Sequence, residues 1–230
     1  MALWDLFLNH RGRQIHKWAH YLPIYERYFS AYVGMPLVFL EIGCGKGGSL
    51  QMWKQYFGPH ATIVGIDINP GCKEFEEDQI SVRIGSQADT PFLDSVIDEF
   101  GPPDIVLDDG SHRMSDILTS FRLLYPGTTK NGIYVVEDLH TAYWEEFGGG
   151  LRKEGTFIEE CKHLVDELNA ENTRGELGVS DFTKTTLSMH FYDGLVVFER
   201  GAYRRRLDLR TKGRLGKGRV EDSSGGSGQP

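Results

Sequence analysis

The run LEIGCGKGGS, residues 40–49, closes one short apolar stretch and opens an amphipathic one. Gly43, Gly45 and Gly48 fit the G-x-G-x-x-G spacing of a nucleotide-binding strand–turn–helix, where glycine permits a tight turn and close approach of a ligand. The alternation then continues along the chain. Apolar runs at 38–42, 62–67, 81–84, 104–108 and 133–137 read as strands, and stretches at 49–56, 70–77, 91–100, 114–125 and 157–169 read as helices. This rhythm predicts an α/β domain, a mostly parallel sheet with helices on both faces. Two further strand-like runs, 186–192 and 195–199, are joined by Asp193-Gly194, a two-residue hairpin signal that makes the last strand antiparallel.

Ahead of the alternation, Trp4, Phe7, Leu8, Ile15, Trp18, Tyr21, Leu22, Tyr25 and Phe29 recur at roughly helical spacing. They predict one or two helices, an N-terminal helical cap over 1–36 on a domain over 37–203. In that cap Trp18 and Tyr25 read as core; the other reading is a lid, with Lys17, His20 or Tyr21 turned toward a ligand. Residues 204–230 are basic, then Gly/Ser-rich and without apolar periodicity, which predicts a mobile tail.

Charge narrows the choice of partners. The chain has 25 Lys+Arg against 33 Asp+Glu, a net of −8, yet eight of the basic residues fall after Tyr203 beside only three acids. Residues 1–203 therefore carry 17 basic and 30 acidic groups, a net of −13. A body that acidic is a poor nucleic-acid binder and well suited to holding cations. Three cysteines, Cys44, Cys72 and Cys161, fit no zinc spacing, and no apolar run is long enough to span a membrane. The expectation is a reduced, cytoplasmic protein acting on a small molecule, without nucleic-acid or membrane partners. A homo-oligomer stays open.

Glu41 lies two residues before the first glycine, where a pyrophosphate would gain nothing from a carboxylate. A ligand with an amino-acid ammonium and no phosphate tolerates one there. The next strand ends GIDIN, which puts Asp67 in position to accept hydrogen bonds from ribose hydroxyls, a feature that also suits NAD. Lys46, among the glycines, reads as solvent-facing.

Together LEIGCGKGGS, GIDINP and the final hairpin resemble the class I S-adenosylmethionine-dependent methyltransferases. The resemblance implies a Rossmann-like seven-stranded sheet in the order 3-2-1-4-5-7-6 with strand 7 antiparallel. It implies that Glu41, Gly43 and Gly45 line the methionine end of S-adenosylmethionine and Asp67 the ribose. The segment GSQAD matches the adenine region, with Ser86 and Gln87 as its contacts.

Two loops carry a second set of acids. One strand ends in Asp108-Asp109-Gly-Ser-His112 and its expected neighbour in Glu137-Asp138-Leu-His140. Side chains alternate along a strand, so Asp108 and Asp109 should face opposite ways. Asp108 is then expected toward the cofactor, while Asp109, Glu137 and Asp138 converge on a divalent ion. All-oxygen ligands suit Mg²⁺, with Mn²⁺ or Ca²⁺ also compatible. The competing account is that these acids cap helices and solvate loops. His112, three residues after Asp109, suits general-base work at neutral pH, with Asp109 as its catalytic partner through the ion.

The pairing of DDGSH with VVEDLHTAYW resembles the metal-dependent sugar O-methyltransferases of macrolide (mycinamicin and tylosin) pathways and bacterial rhamnosyl or glycan O-methyltransferases. The resemblance covers roughly residues 37–201. It implies metal ligands Asp109, Glu137 and Asp138 with His112 as base, and a sugar hydroxyl as acceptor in antibiotic-type biosynthesis. The macrolide enzymes carry an added N-terminal domain, and only about 36 residues precede the first strand here, so aglycone and assembly do not carry over. His140, Tyr143 and Trp144 are candidate substrate contacts, beside the glycine-rich stretch 147–150 and the basic Arg152 and Lys153. Two other functions remain compatible: a metal-dependent catechol or phenolic O-methyltransferase, and an NAD-dependent oxidoreductase, which leaves the second acid set unexplained.

Overall fold

The computed structural model describes residues 2–201; the expected mobile tail over 204–230 lies outside the described residues. Seven strands form one sheet: β1 (Leu37–Ile42), β2 (Ala61–Asp67), β3 (Ile80–Ile84), β4 (Ile105–Asp108), β5 (Ile133–Val136), β6 (Thr186–Tyr192) and β7 (Leu195–Arg200). Their order is β3-β2-β1-β4-β5-β7-β6, and β7 runs antiparallel to both its neighbours. That is the order and the antiparallel strand the resemblance implies. Asp193-Gly194 makes the expected tight turn, with Gly194 at a φ of 70°.

Side-chain alternation divides the core into two layers. Phe39, Ile63, Ile105, Leu107, Ile133 and Val135 point to one face, and pack against α1 (Leu3–Asn9), α2 (Leu22–Phe29) and α3 (Gly48–Phe57). Leu40, Val64, Val106, Tyr134 and Val136 point to the other, and pack against α4 (Thr90–Phe100), α5 (Met114–Gly127) and α6 (Phe157–Leu168). Strands buried on both faces read as continuous apolar runs, which is why the sequence marks them so clearly. Trp53 and Phe29, both fully buried, are the aromatic centre of the first layer.

Three local expectations change. The stretch 70–77 forms a 3₁₀ turn, Pro70–Phe75, capped by the Asn69 side chain, instead of a full helix. A short helix not expected from the sequence, α7 (Asp181–Thr185), is set by a Ser180–Thr183 capping box. The N-terminal apolar pattern is two α-helices, within the one or two its spacing predicts, separated by an irregular segment, residues 10–18, where Gly12 and a run of polar residues interrupt it; the change there is at Trp18. Trp18 is 52% exposed and is not core; Tyr25 is core, as its spacing indicates. The three cysteines are free and buried, and among the described residues no helix is long and apolar enough to cross a membrane.

Candidate active site

The sheet brings its acids together by parity. Glu41 is the next-to-last residue of β1; Asp109 and Glu137 directly follow β4 and β5. Ile42 pairs with Asp108, and Asp108 with Val136, so the three strand ends lie side by side. Counting alternation from the core residues, Glu41, Asp109 and Glu137 all fall on the face of α1–α3. Asp108 falls on the opposite face.

At the centre of the three acids stands Lys17, from the irregular segment. Its side chain is 2% exposed, and its Nζ lies 2.5 Å from Asp109 Oδ2, 3.1 Å from both Glu137 oxygens and 3.4 Å from Glu41 Oε1. Burial alone would lower the Lys17 pKa, but the fields of Asp109, Glu137 and Glu41 hold it well above the usual value, so the ammonium is charged. Tyr25 donates a short hydrogen bond to Glu137 Oε1. Glu41 accepts from Ser49 Oγ at 2.7 Å through Oε2, while Oε1 is buried and has no hydrogen-bond partner among the described residues. Burial pushes the Glu41 carboxyl up, and burial with the neighbouring Asp109 pushes Glu137 up. One ammonium among three carboxylates leaves the cluster short of positive charge.

A second grouping shares Asp109. Asp109, His112 and Asp138 each offer a ligand atom within 4.8 Å of one another. His112 Nε2 is 3.8 Å from both Asp109 Oδ1 and Asp138 Oδ2. The backbones of His112 (φ 58°) and Asp138 (φ 53°) are left-handed, a costly conformation for non-glycine residues that must be held by their surroundings. Thr141 Oγ1 does so for both, donating toward the carbonyls of His112 at 3.2 Å and Asp138 at 2.7 Å. The Tyr21 hydroxyl lies 3.0 Å from Asp138 Oδ1 and from the Gly194 carbonyl, which ties the acid to the β6–β7 turn. Glu137 is turned to Lys17 and Tyr25, outside this second grouping.

The glycine loop behaves as a cradle. At Gly43, φ is +90° and a Cβ would meet the Asp109 carbonyl at 2.1 Å, so this position admits only glycine. Gly48 allows the irregular segment to approach; a Cβ there would meet the Arg13 and Gln14 carbonyls at 2.3 Å. The result is a cavity of about 480 Å³ lined by Gly43, Cys44, Gly45, Asp67, Lys17 and Asp109, among others. Asp67 accepts from the Cys44 N–H at 2.9 Å and the Asn69 N–H at 2.8 Å, and retains lone pairs for further donors. It also lines an adjoining cavity of about 170 Å³ with Ile68, Ser86, Gln87 and Ser111.

Three expected cofactor contacts, Gln87, Asp108 and Glu41, are engaged by other groups of the chain. Gln87 accepts from the Ser111 N–H at 2.6 Å and donates to Asp108 at 3.1 Å, so its amide is used in bracing the loop. Asp108, 1% exposed, also accepts from Ser120 Oγ at 2.6 Å and Tyr134 Oη at 3.3 Å. It lines neither cavity, and burial raises its pKa to about 6. Glu41 likewise is buried, lines neither cavity and is held by Ser49 and Lys17. Ser86 holds the Ala88 N–H at 3.1 Å and borders the smaller cavity.

Around the rim, Trp18, His140, Trp144 and Phe147 form an aromatic chain. His140 and Trp144 lie edge to face at 4.8 Å, Trp18 reaches His140 at 6.1 Å, and Phe147 reaches His112 at 6.5 Å. Trp144 and Tyr143 are about half exposed. The glycine-rich stretch is pinned, with Gly149 and Gly150 N–H groups donating to the Trp144 and Ala142 carbonyls. Lys46 is exposed, as expected.

No protein-family model matches the chain. It is 41% identical over 196 residues to the 8-demethyl-8-(2-methoxy-alpha-L-rhamnosyl)-tetracenomycin-C 3'-O-methyltransferase of Streptomyces olivaceus, covering 80% of this chain and 50% of that protein. Over 195 residues it is 35% identical to the mycinamicin VI 2''-O-methyltransferase of Micromonospora griseorubida, covering 79% and 48% respectively. Among solved structures, a methyltransferase from the mycinamycin biosynthetic pathway, in complex with Mg, SAH and mycinamycin VI, superposes with a TM-score of 0.79. That match has 33% identity and covers 88% of this chain and 54% of the other. This chain is a homologue of the sugar O-methyltransferases, built on the class I S-adenosylmethionine-dependent methyltransferase fold. The methyltransferase homologue spans about half the length of the curated relatives it matches.

From the sequence Tyr25 reads only as core, and Lys17 and Tyr21 only as residues of a lid; the contact of the Tyr25 hydroxyl with Glu137 is not legible there. Their signal was a polar atom on an otherwise apolar helical spacing, at Tyr21 and Tyr25, four residues apart.

Proposed function

We propose that this chain is an S-adenosylmethionine- and Mg²⁺-dependent O-methyltransferase that methylates a sugar hydroxyl of a glycosylated natural product. One observation carries the reading: Asp109 belongs at once to the wall of the glycine-loop cavity and to the Asp109–His112–Asp138 grouping, so cofactor and cation would meet at one carboxylate. The rhamnosyl-tetracenomycin relative supports the acceptor class, a rhamnosyl hydroxyl.

The donor sets fit both groups. Gly45 lines the cavity with open space where a Cβ would stand, and Asp67 faces both cavities with lone pairs to spare. Carboxylates short of positive charge suit a hard divalent ion. When bound, S-adenosylmethionine supplies an electrophilic methyl group and the divalent ion stabilises developing charge on the acceptor oxygen. The chain's residues do the rest. Gly43 and Gly45 line the methionine end and Asp67 orients the ribose, with Ser86 and Gln87 bordering the adenine side. Asp109 and Asp138 hold the ion, with Glu137 as the third acid of the set. His112 Nε2 takes the acceptor hydroxyl's proton, and Tyr21 and Thr141 fix the geometry of Asp138 and His112. His140 and Trp144, edge to face, with Tyr143 beside them, offer a half-exposed aromatic face for the sugar ring.

The deciding experiment supplies labelled S-adenosylmethionine and Mg²⁺ with rhamnosides and, separately, with catechols. Transfer to the rhamnoside, lost in EDTA, is expected; full activity in EDTA overturns the metal role, and transfer to catechols alone overturns the sugar assignment. His112→Ala should lower kcat by about 10²-fold or more, and an unchanged rate removes it as the base.

A further inference from the structure

We propose that Lys17 is a positioning residue that acts as a resident counter-ion, competing with the divalent ion for Asp109 and Glu137 and so setting how many carboxylates that ion can take. This inference rests on the metal reading above and concerns a residue outside the acids and the imidazole assigned there.

The geometry carries it. Lys17 is the cation at the centre of the acid cluster, equidistant from both oxygens of Glu137 and nearest to Asp109 Oδ2. It leaves Asp109 Oδ1 facing His112, and among the described residues its ion pairs are with Glu41, Asp109 and Glu137, not with Asp138. The four acids Glu41, Asp109, Glu137 and Asp138 are thus split: Lys17 engages one oxygen each of Asp109 and Glu41 and both of Glu137, and leaves Asp109 Oδ1 with Asp138 on the side of His112. A full positive charge within contact distance of two ligands must oppose the entry of a second cation, since like charges in a poorly solvated site repel strongly. In return it holds Asp109 by its inner oxygen and fixes where the outer one points. Because Lys17 comes from the segment that walls the cofactor cavity, the same contact also ties that wall to the metal side.

A role confined to structural support predicts that removing Lys17 loosens the site and weakens cation binding. The counter-ion role predicts the reverse sign. Mn²⁺ binding to the full 230-residue chain, followed by its paramagnetic resonance signal, separates them. Lys17→Met should bind Mn²⁺ roughly tenfold tighter than the wild type, because Glu137 and Asp109 Oδ2 become available and the opposing charge is gone. Its kcat should nevertheless fall, since Asp109 is no longer held. Lys17→Arg, which retains the charge, should stay near the wild-type affinity. If Lys17→Met does not fold, Lys17→Gln, neutral and still a donor, takes its place with the same expected sign. Equal or weaker Mn²⁺ binding by the neutral variant, with a wild type that binds, overturns the counter-ion role alone. A wild type that binds no Mn²⁺ overturns the metal reading and this inference with it.

Discussion

Asp108 and Asp109 are adjacent in sequence and chemically identical, yet they occupy opposite environments. Asp108 points into the α4–α6 layer, where Gln87, Ser120 and Tyr134 all donate to it and burial raises its pKa to about 6. Asp109 points to the α1–α3 side, half-buried, between Lys17 and His112, on the wall of the larger cavity. The difference teaches that strand parity, not residue type, separates a carboxylate that braces a loop from one that is offered to a ligand.

Neutralising each acid in turn separates the two roles. Asp109→Asn should abolish turnover, since several kcal/mol of transition-state stabilisation, roughly a thousandfold or more in rate, would depend on the ion it holds. Its melting temperature should change little, because the amide oxygen can still accept from Lys17. Initial rates beside a thermal melt test both halves, and a large loss of stability would make Asp109 a structural acid like its neighbour.

Asp108→Asn should behave in the opposite sense. Its NH₂ carries two donors where the protonated carboxyl carries one, and it faces groups that donate, which leaves a donor unpaired at a cost of about 1–3 kcal/mol, while Mn²⁺ binding survives. The pH dependence carries a sign. The folded pKa of Asp108 lies above its unfolded value, so its contribution to stability is present below the ordinary carboxylate range and is lost as pH rises through about 6. The disadvantage of Asp108→Asn should therefore be largest near pH 4 and shrink toward pH 7. Denaturant melts at both pH values decide it; a gap that widens with pH would mean that Asp108 is stabilised as the anion.

The backbone that follows Asp109 carries a smaller effect. His112 sits at a φ of 58°, on the loop that follows Asp109. His112→Gly should be more stable than His112→Ala by about 1 kcal/mol, because only glycine accepts a left-handed backbone without steric cost, while both lose the same rate. Equal stabilities would show that the loop relaxes when the imidazole is removed.

By itself the sequence determined the sheet, its antiparallel last strand and the identity of the acids. Those features are local: apolar runs of strand length, glycine at a turn, Asp-Gly between two strands, and acids directly after apolar runs. It also determined that Asp108 and Asp109 would diverge, because alternation is a property of the strand itself. What only the tertiary structure decided is how the acids are shared. Lys17 lies 92 residues from Asp109 and 120 from Glu137, on a segment with no regular structure, so no periodicity could place it. Tyr25 is read from its spacing as core, and its ring is core; only packing shows that its hydroxyl ends on Glu137. The resemblance implies Gln87 and strand alternation implies Asp108 as ligand contacts, but close packing at Gly110 and Ser120 draws them onto each other. A motif specifies which groups reach the edge of the sheet. Which of them remain free there depends on contacts between segments far apart in the chain, and those exist only once it has folded.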